Sequence, residues 1–399
     1  MGTCGRLILA VTILVGAWRP AARAQQPVGW RGDGSGRYPE ATPVLEFAPD
    51  KNVIWKTPMP GASNCGPVLV GDKVFVTAEP DILLCISAAD GKILWQKANP
   101  ESHALAEGEK AEHAAKRKEA QALEAKLKAI NKELGALKKA QKDAPQEKAG
   151  EENLAALSGE AEQLKKEIER LSRYLPARCS GVAGYTTATP VTDGQFVYAL
   201  FGSGIAVCHD LSGERKWIRF IDRPAQGHGH AASPLLAGGL LLAHFQDLTA
   251  LDARTGEVRW RAPAKVQFGT PVLAKAGDAD VAVTPNGEMV RLSDGKVVAT
   301  NFAKIAYGSP IVSGNIVYYV EGKRCKAVEP PASAGDGAQP KALWSTAAAD
   351  GRYFVSPLLH NGLLWTLTEK GKMSVLDAQT GTVVYEKDME LGKSGLYYS

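Results

Sequence analysis

Short apolar runs separated by turn residues recur along most of this chain. In "GPVLVGDKVFVTAEPDILLCISAADGKILWQK" (66–97) four of them occupy 67–70, 73–77, 82–86 and 92–96. Alternation within the runs, as in "KVFVT" and "EVRWR", fits half-buried antiparallel strands. The phrase returns as "TPVTDGQFVYALFGSGIAVCHDLSGERKWIRF" (189–220) and "SPLLAGGLLLAHFQDLTALDARTGEVRWRA" (233–262). Further copies begin at Thr270, Ser309 and Ser356. The "GD", "DG" and "GG" pairs between the first two runs are two-residue hairpin signals, because glycine accepts positive φ without a Cβ clash. Each copy therefore predicts a four-stranded antiparallel meander of about 40 residues. A tryptophan ends the unit: Trp55, Trp95, Trp217, Trp260 and Trp344, with Val298 and Tyr385 as substitutes. Its expected task is packing each sheet on its neighbour. One such sheet cannot bury both faces alone, and radial stacking of copies gives an all-β propeller.

Six complete blades are predicted. A further stretch, "NVIWKTP" (52–58), reads as a fourth strand without its first three. The chain's last residues, "GLYYS" (395–399), match the segments that precede a first strand elsewhere. The expectation is a native ring of seven or eight blades, truncated here at the C-terminal end, with a gap between strand 53–57 and the sixth blade.

Residues 101–176 break the pattern. They are dense in Ala, Glu and Lys, with no aromatic before Tyr174. Leu123, Leu127, Ile130, Leu134 and Leu137 form one heptad seam, and Leu154, Leu157, Ala161, Leu164, Ile168 and Leu171 form another. "DAPQEKAG" (143–150) supplies the turn. The prediction is an antiparallel coiled-coil hairpin inserted between blades one and two. It serves either as an arm for a protein partner or as a solvated decoration. A second insert, "PPASAGDGAQP" (330–340), reads as a disordered loop.

Composition changes this picture little. The 399 residues carry a formal charge of +4. Arg6, Arg19 and Arg23 lie in an acid-free N-terminus, so the remainder holds about +1. No electrostatic footprint for nucleic acid is present. Arg6, the apolar run 7–17 and Ala22-Arg23-Ala24 read as a secretory signal cut after Ala24. The competing reading is an uncleaved anchor, but the run falls well short of the roughly 20 residues a span needs. No later segment is a membrane span. The resulting division is a signal peptide at 1–24, the N-terminal segment and first blade at 25–100, the hairpin at 101–176, and blades two to six at 177–399. Cys85, Cys208 and Cys325 are read as one repeat position filled by a small buried hydrophobe. Cys65 and Cys179 precede first strands of neighbouring repeats, which leaves a disulfide between them open.

Candidate chemistry gathers where a fourth strand leads to the next first strand, near a propeller's central channel. These segments hold Asn64, Tyr185, Thr186, His228, His230, Gln267, Phe268, Tyr307, Tyr353, Phe354 and Tyr397. Such aromatic and polar groups suit a protein or small-molecule ligand at the mouth. They equally suit a self-satisfied plug. "HGH" (228–230) offers two metal ligands on an extended strand but no visible third, so metal binding stays open. No phosphate loop, nucleophile elbow or zinc-helix motif appears.

The pattern "SPxxxG(D)xxYVx…xxLDAxTGxxxW" resembles the pyrroloquinoline-quinone-type (PQQ-like) repeat. That repeat occurs in bacterial quinoprotein dehydrogenases and in the propeller lipoprotein of the outer-membrane β-barrel assembly machinery. "WRGDGSGRYPE" (30–40) with "NVIWKTPMPG" (52–61) resembles the start of a secreted bacterial family with these repeats. The resemblance covers 30–100 and 180–399 and implies an exported propeller. The favoured expectation is a non-catalytic binding or assembly scaffold without a cofactor. The alternative it implies is a quinoprotein dehydrogenase using PQQ with calcium. Those enzymes pair the quinone with adjacent cysteines and an aspartate base, and neither stands out here.

Overall fold

A computed structural model of the chain describes residues 28–390 except 40, 144–147, 178, 180–182, 226 and 336. The expected signal peptide and Tyr397 lie outside the described residues. Six four-stranded antiparallel sheets follow one another at 68–98, 191–220, 235–262, 272–299, 311–347 and 358–388. In each, the strands neighbour one another in chain order. The first blade's strands, Val68–Val70, Lys73–Ala78, Ile82–Ser87 and Ile93–Ala98, lie within two residues of the apolar runs. The sheets form propeller blades that do not close into a ring. Residues 53–58 are extended but belong to no sheet, and the last strand, Val383–Asp388, pairs only with Lys372–Asp377.

Each interface between blades is its own core. In blades one to five, one cross-strand row faces the next blade. In blade two it runs Val191, Tyr198, Cys208, Trp217, and it packs on Leu236, Leu241 and Leu251 of blade three. The tryptophan then reaches over the neighbouring blade's last turn. Trp95, Trp217, Trp260 and Trp344 donate their indole N–H to Leu211, Ala253, Leu292 and Ala378 carbonyls at 2.8–3.1 Å. Each ring lies on the glycine of that turn. A Cβ on Gly256 would come within 2.6 Å of Trp217, and its φ of +72 already disfavours a side chain. Trp55 makes the same contact with blade one, through Ala88 at 2.8 Å and Gly91.

Two repeat positions differ from the sequence reading. Ala299, not Val298, pairs with Met289 at the tryptophan's register in blade four, and Val298 occupies the bulge. Ala327, not Cys325, pairs with Trp344 in blade five. Both shifts border the interface where the glycine turn is replaced by 330–340. Blade four places a small residue where blade five has no glycine turn to receive an indole. The 330–340 insert is also not simply a disordered loop. Pro330 and Pro331 are buried, Pro331 accepts from Gly277 N–H at 3.1 Å, and Ala334 accepts from Arg291 at 2.9 Å.

A second chain of contacts binds the inner strands. The Ser or Thr before each first-strand proline accepts a hydrogen bond from the equivalent backbone N–H of the preceding blade. The series runs Gly66→Thr189, Thr189→Ser233, Ser233→Thr270, Thr270→Ser309 and Ser309→Ser356, at 2.8–3.2 Å. Proline cannot donate, so the residue before it carries the link.

The N-terminal segment crosses the centre. Val28 bridges Thr192 of blade two, Trp30 packs on the core between blades four and five, and Arg31 Nη1 donates to Pro357 O of blade six at 2.8 Å. Helices α1 (Lys110–Asp143) and α2 (Lys148–Arg170) form the hairpin between blades one and two. Ile130, Leu134, Ala161 and Leu164 are its buried seam. At 1.5 Å per residue α1 is about 50 Å long. Its root is fixed by Glu101, which receives both terminal nitrogens of Arg223 at 3.0 and 2.6 Å. Arg223 also donates to Ser203 O and Arg173 O, so the guanidinium ties blade two to the segment leaving α2.

Candidate functional site

The segments between blades assemble an aromatic row. His228, Phe268, Tyr307 and Phe354 come from four successive connections. Their centroids are 6.4, 5.9 and 4.4 Å apart, and the Phe268 and Tyr307 planes are nearly parallel at 15°. Phe268, Tyr307 and Phe354 each lie four residues before the first residue of an inner strand and His228 seven before, and the hydroxyl series fixes the start of those strands. His228 is exposed and the other three are half-buried, so the row presents an edge to solvent. Arg352 caps it, with its guanidinium 5.2 Å from the Phe354 centroid. Glu369 bonds the Arg352 Nε, and this carboxylate, with Tyr307 alongside, holds the guanidinium charged.

The other described candidates lie elsewhere, except Gln267 and Tyr353, the chain neighbours of Phe268 and Phe354. Tyr185 and Thr186 belong to the junction of blades one and two. The Tyr185 hydroxyl donates to Ala177 O at 2.9 Å. Burial, with Cys179 and Glu79 nearby, pushes its phenol up. Asn64 donates to Ala183 O at 3.0 Å in the same junction. Gln267 is half-buried beside Phe268. Tyr353 is buried, its hydroxyl donating to Ala349 O at 2.5 Å. His230 is buried against Phe245, at 4.1 Å between rings. His228 and His230 thus face different surroundings, and among the described residues no three His, Cys, Asp or Glu side chains group as a metal site. Cys65 and Cys179 are free thiols.

Two residues at the mouth were not nominated from sequence. Glu79 Oε1 accepts Tyr185 N–H, Thr186 N–H and the Thr186 hydroxyl at 2.7, 3.0 and 2.8 Å. It stitches the turn between the second and third strands of blade one to the entry of blade two. Arg352 is the other. Its signal was the "RYFVS" segment, where a cation precedes two mouth aromatics. Two clefts of about 380 Å³ are lined in part by the connections that carry the row. Lys265 lines both, with Gln246 and Asp247 in one and Asn286, Glu321 and Lys326 in the other.

The PQQ-type repeat family described as outer membrane protein assembly factor BamB matches residues 44–161 and 244–395. The chain belongs to this family. No curated protein matches it. Among solved structures it is similar to BamB from Moraxella catarrhalis, at 13% identity and a TM-score of 0.48, covering 81% of this chain and 74% of that one. It is also similar to a europium-containing methanol dehydrogenase, at 11% identity and a TM-score of 0.35, covering 81% and 78%. A third is quinohemoprotein alcohol dehydrogenase from Comamonas testosteroni, at 9% identity and a TM-score of 0.35, covering 83% and 68%. Membership of the BamB family agrees with the PQQ-like repeats read from the sequence. None of the described helices is long and apolar enough to cross a membrane.

Proposed function

We propose that this chain is an exported, non-catalytic propeller scaffold. Its mouth docks a protein segment or small molecule along the row His228–Phe268–Tyr307–Phe354. The row carries the reading: four rings from four connections between blades form one continuous aromatic edge, with the His228 imidazole at one end and the Arg352 cation at the other. Aromatic edges flanked by a cation suit an extended ligand with apolar groups and an acceptor. The family match supports a scaffold of this kind.

The quinone alternative fits the mouth poorly. A calcium–quinone site needs several oxygen ligands converging on one point. Of the mouth carboxylates, Glu79 already takes three hydrogen bonds on one oxygen and Glu369 accepts from Arg352, and among the described residues no three His, Cys, Asp or Glu side chains group as a metal site. Titration with PQQ and calcium should leave the quinone absorption spectrum unchanged, with no dye-linked alcohol oxidation. A shifted spectrum with turnover would overturn the scaffold reading. Export is checked separately, by N-terminal sequencing of the secreted chain, which should begin at Gln25.

A further inference from the structure

The glycine-rich stretch "WRGDGSGR" (30–37) is a loop folded around one arginine. Gly29 and Gly32 exchange backbone hydrogen bonds at 2.8 and 3.0 Å, and Gly36 N–H donates to Arg31 O at 3.2 Å. Arg31 turns the corner at φ +53, in the left-handed region that a residue with a Cβ enters at a cost. Gly36 lies against the guanidinium, where a Cβ would collide with it. The Arg31 side chain is thereby fixed in direction. Its Cζ stands 5.4 Å from the Trp30 ring centroid, and its Nη1 donates to Pro357 O at 2.8 Å. Pro357 follows Phe354 by three residues, so Arg31 reaches the connection that carries the blade-six end of the aromatic row. The charge it brings there is not balanced. Among the described residues no carboxylate pairs with it. Burial holds its pKa below the usual guanidinium value, and only Tyr38 acts in the other direction. Arg352, in the same connection, differs in that Glu369 takes its Nε.

We propose that Arg31 is the anion subsite of the mouth and receives a carboxylate of the docked ligand. The proposal rests on the aromatic row being the docking edge, and it names the chemistry of what docks. A guanidinium has five N–H donors, and Arg31 gives one to a carbonyl. Tying the N-terminal segment to blade six needs a donor, not an uncompensated charge in a half-buried place, which is costly to hold without an anion. A backbone held in the left-handed region to place that charge is a further cost, of the kind found at ligand sites. One positive charge without a partner suits one negative charge, and the planar fork suits the two oxygens of a carboxylate. The apolar part of the same ligand lies along Phe354 and Tyr307. The ligand is therefore a monocarboxylate with an aromatic or aliphatic body, either a small acid or the end of a protein segment.

The test uses the full chain, labelled with ¹⁵N-arginine, and two matched pairs of probes. One pair is phenylpropionate and phenylpropanamide. The other is the tripeptide N-acetyl-Phe-Ala-Phe as the free acid and as the C-terminal amide. In at least one pair the acid should bind about 10-fold more tightly than its amide and move the Arg31 Nε–H resonance as it saturates. Discrimination within both pairs means that a small acid suffices, and discrimination within the peptide pair alone means that a chain end is read. Arg31→Gln keeps a donor for the Pro357 carbonyl and should bring the acid to the affinity of its amide. Phe354→Ala should weaken acid and amide alike. Acid and amide binding equally, or an acid preference that survives Arg31→Gln, overturns the carboxylate subsite and leaves the docking row standing. Binding of none of the four probes overturns both. If Arg31→Gln does not fold, the wild-type comparison decides: an acid preference without movement of the Arg31 Nε–H resonance sinks the proposal.

Discussion

Replacing Trp217 with alanine should cost about 3–5 kcal/mol in a denaturant titration, the range for removing a fully packed aromatic. Trp217 is 5% exposed and closes the core between blades two and three. Three interactions go at once. The ring loses its contact with Tyr198, at 6.1 Å between centroids, and its seat on Gly256. The Ala253 carbonyl loses its indole donor, a bond of 2.9 Å, in a place where water enters poorly. Trp217→Phe keeps most of the buried area and strands only that carbonyl, so it should cost about 1–3 kcal/mol. Tyr385→Ala is the internal control. Its ring holds the same register but no neighbouring turn receives it, so the loss should stay below about 1 kcal/mol. Equal losses at 217 and 385 would show that the tryptophan series does not hold the blades together.

The tryptophan series was legible because its landmark, a glycine turn four residues earlier, recurs in the sequence. Two marks set the register, the turn glycine and the tryptophan, and it slips where either is missing. Blade five keeps Trp344 but has no turn glycine, and the position read at Cys325 belongs to Ala327. Blade four keeps Gly295 but has no tryptophan, and the position read at Val298 belongs to Ala299, four residues after that glycine. The hydroxyl series was not legible. A Ser or Thr before proline reads locally as a turn residue, and its partner lies a whole blade away, as in Thr189 and Ser233. The mouth residues were nominated by position alone. Stacking of Phe268 on Tyr307 depends on how neighbouring blades are rotated, which no single repeat encodes. Glu79 was invisible for the same reason: its three donors are more than a hundred positions along the chain.

Acid should weaken the fold well before its carboxylates titrate, through three histidines buried as neutral rings. His230 is held down to about 3, first by burial and then by the neighbouring His244. His209 is held down to about 4, first by burial, with the Gly213 carbonyl opposing and Arg215 and Lys97 adding to the shift. His244 is lowered by burial, against the Ala264 carbonyl, Glu288 and Asp247, which favour the charged ring. The unfolded chain protonates all three near 6.5, where the folded chain holds them neutral. Stability from these groups is therefore complete above about pH 6.5. It falls as pH drops, until the folded pKa of each is passed. Each proton taken up only on unfolding contributes a slope of about 1.4 kcal/mol per pH unit, so between pH 6 and 4.5 His230 and His209 together should bring the slope towards two such protons, and His244 adds to it in the same direction. His230 has the clearest origin. It lies on Phe245, and its Nε2 finds no partner, so the ring gains little from charge. His230→Phe should remove about one proton from the slope while leaving stability at pH 8 within roughly 1–2 kcal/mol. His209→Gln should remove another, provided the amide keeps the bond to Asn99 that the ring makes at 3.0 Å. Urea midpoints measured at half-unit steps from pH 8 to 4 decide the matter. A wild-type curve that is flat down to pH 4.5, or a His230→Phe curve parallel to it, would show that these rings take up their protons without unfolding.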